Sequence, residues 1–150
     1  MKKVDPIKVK ILDGNAIIPS RAHDNDTGID VTPNRLAKRV DAKTFLLGTG
    51  IAVKPPKGYY IDFVPRSSIT KKQVMMANSF GVIDIDYRGE LLIAIKLDDS
   101  MVNYMELIGS PLCQIVLRPL IIADIEIVED LDATVRGEGG FGSTDNDSKD

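Results

Sequence analysis

The chain has 150 residues, 19 basic and 22 acidic side chains, a formal charge of −3, one histidine and one cysteine. That balance excludes a grip on a long nucleic-acid backbone, which needs many phosphates neutralised, and His23 with Cys113 is too few ligands for a zinc site. A domain of this length buries about 68–70% of its unfolded surface, so a single core suffices without disulfide or metal.

In chain order, the amino end MKKVDPIKVKILDG lacks an apolar run of signal-peptide length, and no stretch approaches the ~18 apolar residues of a membrane span. A soluble, cytoplasmic protein is expected, or one of the host cytoplasm if virus-encoded. Ile7, Val9 and Ile11 alternate with Lys8 and Lys10, the period of a strand. Asp13-Gly14-Asn15 reads as a turn, and His23 in SRAHDNDTG as a surface residue. Further strands are predicted over Thr44–Val53, Tyr59–Val64, Glu90–Leu97 and Gln114–Leu117, with Pro55-Pro56-Lys57-Gly58 and Gly109-Ser110-Pro111 as punctuation. One short helix is predicted within Thr70–Ala77, where Met75 and Met76 are packing filler. Cys113, among Leu112, Ile115, Val116 and Leu117, is expected to be a buried apolar residue. Ile125 and Ile127 alternate with Asp124 and Glu126, so regular structure is expected to run to about Asp130. Short strands without long helices give an all-β sandwich or jelly-roll barrel. The division expected is a body at 1–135 and a glycine-rich carboxyl segment with an acidic tail at 136–150.

Four stretches could carry chemistry. VRGEGGFGST, from Val135 to Thr144, is either a frayed tail or a nucleotide clamp. It is not a P-loop, because no lysine precedes its serine and threonine. As a clamp, Arg136 would fork onto phosphate oxygens, the glycines would form an N–H-lined concavity, and Phe141 would cover a base. VPRSSIT (Val64–Thr70) sets Arg66 beside the Ser67 and Ser68 hydroxyls at a helix start, which is either an anion site or an ordinary cap. In NSFGVIDIDYRGE (Asn78–Glu90), Asp84 and Asp86 would share one face if the segment were extended. A carboxylate there could orient a water for attack on phosphorus, or the pair could simply be solvated charges on a hairpin. In DNDTGIDVTP, Gly28 permits a tight approach, and Asp30 faces away from Ile29 and Val31, either as plain alternation or as an acceptor for magnesium waters.

Together these stretches resemble the five motifs of the homotrimeric dUTPases: TGIDV (27–31), PRSS (65–68), Asn78 with GVIDIDYRGE (81–90), GSPLCQI (109–115) and RGEGGFGST (136–144). The resemblance implies a distorted jelly-roll of the β-clip type with a flexible carboxyl arm, assembled as a homotrimer whose active sites are shared between subunits. It implies hydrolysis of dUTP to dUMP and pyrophosphate, with Asp84 orienting water toward the α-phosphorus. Tyr87 would pack beneath the deoxyribose, while Asn78 and backbone near Gly81 read uracil. Ser67, Ser68 and Gln114 would hold phosphates, Arg66 and Arg136 would add charge-assisted contacts, and Phe141 would stack on the base with Gly142 and Ser143 in the closing arm. Mg2+ would be held by phosphates and waters, with Asp30 in contact through water and no side chain on the metal. Two positions depart from the family pattern: Pro111 stands where an arginine is usual, and Asp145 where glycine is usual.

The same fold is shared by the dCTP deaminases and the bifunctional deaminase/dUTPases, which need a pocket glutamate to move protons; Glu90 is the candidate here. Another reading adds a regulatory protein partner to the enzyme, with residues 98–107 as a surface feature or as ordinary packing.

Overall fold

The computed structural model describes residues 4–98 and 103–140. Among these residues nine strands form two antiparallel sheets packed face to face: β1 (Lys8–Ile11), β2 (Ile29–Val31), β3 (Arg35–Arg39), β4 (Thr44–Lys54), β5 (Tyr59–Pro65), β6 (Val74–Met76), β7 (Gly81–Ile83), β8 (Glu90–Leu97) and β9 (Cys113–Pro119). One sheet runs β1-β4-β8-β6 with β3 also on β4, and the other runs β2-β9-β5-β7. The all-β, jelly-roll expectation holds.

Strand alternation makes the core. Leu91, Ile93, Ile95 and Leu97 point inward from β8 and meet Phe45, Leu47, Ile51 and Val53 of β4. From the second sheet come Val31, Ile61, Phe63, Cys113 and Ile115. Apolar burial of this kind, at about 25 cal/mol per Å², is the main driving force for closing the two sheets on each other. Cys113 is fully buried beside Met76, with sulfur to sulfur at 3.5 Å, as its neighbours in sequence suggested. Met76 is buried but Met75 is exposed, because they alternate on β6.

Several expectations need correction. The helix predicted within Thr70–Ala77 is absent: a 3-10 turn covers Ser67–Lys71, and Val74–Met76 pairs with Ile95–Leu97 as a strand. The Val74–Ala77 spacing fits either period over so short a run, and β8 offered an edge to pair with. A second 3-10 turn, Tyr104–Leu107, went unforeseen; it buries Leu107, stacks Tyr104 on Phe45 at 4.7 Å between ring centroids, and leaves Met105 exposed. The last strand ends at Pro119, and residues 120–140 form no regular element. Ile125 and Ile127, read as strand, are each 94% exposed, since no strand among the described residues pairs with them. Among the described residues no helix is long and apolar enough to cross a membrane.

The longest strand, β4, is bent. Its register against β8 shifts between Gly48 and Ala52, and Gly50 there has φ +71°. Such a bulge strips backbone groups of their ladder partners. Side chains replace them: the Gly50 N–H donates to Glu90 Oε1 at 2.7 Å, and the Thr49 hydroxyl donates to the Leu91 carbonyl at 2.7 Å. The Gly50 carbonyl accepts from the Leu12 and Asp13 N–H groups, which ties the first turn to the bend. An added Cβ at Gly50 would meet Asn34 Nδ2 and Asp13 Cβ at 2.9 Å in a left-handed backbone. Gly50→Ala is therefore expected to cost at least ~1–2 kcal/mol, from the left-handed penalty alone. The measurement is a lowered urea midpoint at unchanged slope.

Candidate active site

β2 and β9 pair so that Asp30 lies directly opposite Gln114, and Gln114 in turn lies opposite Val64 of β5. Residues opposite one another share a face, and the rows on either side, Ile29–Ile115–Phe63 and Val31–Cys113, point into the core. Asp30 and Gln114 therefore face outward. Arg66, two residues beyond Val64, joins them: its Nε donates to Asp30 Oδ1 at 2.8 Å, and its backbone N–H donates to the Leu112 carbonyl at 2.9 Å. The Gln114 side chain lies over Gly28, where a Cβ would collide with its amide, and its Nε2 reaches the Pro65 carbonyl at 3.5 Å. Ser67 and Ser68 open the adjoining 3-10 turn, Ser67 exposed and Ser68 half-buried, with no side-chain cap from Arg66. The result is a shallow polar corner of guanidinium, carboxylate, amide and two serines.

A second group gathers around β7. Gly81 begins the strand opposite Phe63, and Asn78, exposed, precedes it in a turn where the Phe80 N–H donates to the Asn78 carbonyl at 2.6 Å. Beyond Ile83 the chain does not stay extended. The Tyr87 N–H donates to the Asp84 carbonyl at 3.2 Å, and Arg88 Nη1 donates to the Ile85 and Tyr87 carbonyls at 2.9 and 2.7 Å. Asp84 and Asp86 consequently sit in a tight turn, so the condition of an extended segment under which they would share one face is not met. Both carboxylates still line a hollow of about 340 Å³ with Tyr60 and Ile122. On its other side Asp84 joins Tyr87 and Glu90 around a hollow of about 190 Å³. A solvent-facing carboxylate beside an aromatic ring can orient a water.

A single chain keeps Asp84 apart from Arg66, although Gly81, opposite Phe63, lies one residue along β5 from Val64 and its partner Gln114. Tyr60, which lines the Asp84 hollow, and Arg66 are six positions apart along one extended segment, roughly 20 Å at ~3.3 Å per residue. Arg136 is farther along the unpaired arm, where its Nε donates to the Gly139 carbonyl at 2.9 Å and Gly137 turns at φ +52°. Phe141, Gly142 and Ser143 lie outside the described residues.

One feature the motifs did not flag is the bidentate pair Arg35–Glu90, with Nη1–Oε1 at 2.6 Å and Nη2–Oε2 at 2.7 Å. Its partners are 55 positions apart, and RLAKR carries no local sign of a fixed role for Arg35. The bond from Arg35, and then that from the Gly50 N–H, outweigh desolvation and hold Glu90 below its ordinary 4.5. Both carboxylate oxygens are thus committed, which makes Glu90 a poor proton shuttle and counts against a deaminase.

The dUTPase family model matches residues 14–145. The chain belongs to the dUTPase family. It is 39% identical over 132 residues to the deoxyuridine 5'-triphosphate nucleotidohydrolase of Picosynechococcus, covering 87% of this chain and 92% of that one. To the enzyme of the same name from Crocosphaera subtropica it is 36% identical over 139 residues, 92% of this chain and 97% of the relative. The solved dUTPase of Staphylococcus bacteriophage 80alpha superposes with a TM-score of 0.73 at 26% identity, over 93% of this chain and 98% of the other.

The Glu90 pairing has a pH signature. A carboxyl held lower in the folded chain contributes stability above its unfolded value and loses it as pH falls through the folded one. Glu90→Gln should lower the urea midpoint at neutral pH, and its gap from the parent should close as pH drops below 4.5. Parallel urea titrations at stepped pH measure this.

Proposed function

We propose that this chain hydrolyses dUTP to dUMP and pyrophosphate. The observation that carries the reading is the family match, which spans Asp30, Arg66, Asp84, Gln114 and Arg136 in one run. In this reading Asp84 takes the proton of a water whose oxygen attacks the α-phosphorus. The bond to the bridging oxygen toward the β-phosphorus breaks, and pyrophosphate leaves. The ring of Tyr87 supports the sugar, and the turn at Asn78 and Gly81 offers backbone and amide groups to the uracil edge. Arg66, Ser67, Ser68 and Gln114 face the triphosphate, with Arg136 and the Phe141-Gly142-Ser143 segment closing over it.

Among the described residues no three or more His, Cys, Asp or Glu side chains gather as a metal cage, and Asp30 already spends one oxygen on Arg66. In this reading the magnesium ion is carried on the triphosphate, with Asp30 reaching it through water. When bound there, magnesium neutralises phosphoryl charge.

The working unit in this reading is a homotrimer with shared sites. Two observations support it: the separation of the Arg66 and Asp84 groups in one chain, and the bare arm in which Ile121, Ile122, Ile125, Ile127 and Leu131 stand 79–94% exposed. Large apolar side chains left this exposed favour contact with another chain.

Asp84→Asn should abolish turnover and leave nucleotide binding measurable, because the amide keeps the shape but cannot take the proton. Calorimetry with a non-hydrolysable dUTP analogue, alongside a pyrophosphate assay, checks it; near-normal turnover would overturn the assignment. Phe141→Ala should keep the assembly mass by light scattering and slow dUTP hydrolysis, whereas a purely structural tail predicts unchanged kinetics.

A further inference from the structure

The described hydrogen bonds of the Arg35–Glu90 pair reach neither Arg66 nor the Asp84 carboxylate, though Glu90 lines the same hollow as Asp84, and the pair fixes the piece of backbone on which Tyr87 rests. The Tyr87 hydroxyl donates to the Glu90 carbonyl at 2.9 Å. Its ring folds back over Gly89 so closely that a Cβ there would collide with the ring and its hydroxyl. Tyr87 is 42% exposed. Its pose is therefore inherited from the backbone of Gly89 and Glu90.

That backbone is in turn held through the Glu90 side chain. Oε1 accepts from the Gly50 N–H at the β4 bulge, and both oxygens accept from Arg35. Arg35 is itself placed from outside the site. Its Nη1 donates to Asn34 Oδ1 at 3.3 Å, Asn34 Nδ2 donates to Asp13 Oδ2 at 2.9 Å, and the guanidinium occupies the space where Gly48 has no side chain. A bidentate guanidinium–carboxylate pair fixes angle as well as distance, which a single lysine contact does not.

We infer that Arg35, through Glu90, is a positioning residue for the Tyr87 ring and thereby a determinant of the choice between deoxyribose and ribose triphosphates. This rests on the proposal that Tyr87 supports the sugar. A 2'-hydroxyl differs from hydrogen by little more than 1 Å of reach, so a ring free to retreat by that much would stop rejecting it. Displacements of about 1 Å from a remote mutation can cost up to ~100-fold in rate.

The experiment uses full-length protein with ring-13C tyrosine, the Tyr87 resonance being identified by its loss in Tyr87→Phe. Arg35→Met should shift that resonance and reduce the ratio of kcat/KM for dUTP to that for UTP by about tenfold or more. Arg35→Lys, which keeps charge but not the fork, should move both readouts less. Glu90→Gln, which keeps an acceptor for Gly50, carries the test if Arg35→Met does not fold. A folded variant of unchanged mass whose Tyr87 resonance stays put overturns the inference. So does one whose dUTP and UTP values fall in proportion, the mark of a merely structural loss. A parent protein that hydrolysed neither nucleotide would strike the functional reading instead, and the resonance would still decide the positioning.

Discussion

The bend in β4 depends on the N–H of Gly50 finding its acceptor in a side chain rather than in the next strand. A bulge without that acceptor would leave an unpaired polar group between two sheets, at a cost of about 1–3 kcal/mol. Glu90 supplies it, Thr49 repays the carbonyl of Leu91, and the first turn of the chain fastens to the same residue through Leu12 and Asp13. Because β8 starts at Glu90, the sheet geometry and the entry into the Asp84–Tyr87 turn are set by one residue. Stability and site shape are thus coupled at this point.

Which parts of this were legible in the sequence follows from where the information lies. β5 and β8 were readable to within a residue or so because their alternation is long and their flanks carry proline, glycine or acidic turn residues. β6 was misread as helix because three residues cannot distinguish two periods, and its identity is decided by the edge of β8. Whether the Asp84–Asp86 segment extends or turns was left open by the sequence, because the turn is closed by Arg88, a side chain clasping carbonyls that no periodicity reports. Arg35 could not be found at all: its meaning is a pairing with Glu90 that only the crossing of β3, β4 and β8 creates. The motif residues themselves stood out by type and order, but their distances did not, and the chain sets Arg66 apart from Asp84.

That separation and the bare carboxyl arm express the same fact at two scales. A β-sandwich can present polar groups at both ends of one sheet, yet it cannot fold that sheet end to end. Residues 120–140 leave the body without burying their isoleucines, so the alternation at Ile125 and Ile127, which reads as a strand, has no use within the chain that encodes it. Patterning in a sequence specifies surfaces to be buried; it does not specify by whom.

Cys113 gives the molecule one more property. Burial pushes its thiol up to about 12, so at neutral pH almost none is thiolate, the form that reacts with alkylating reagents and oxidants. The only sulfhydryl of the chain is chemically silent while the fold is intact. A cysteine introduced at an exposed position would carry a fluorophore or spin label alone, with the native residue left in place, and labelling of Cys113 itself would report opening of the core.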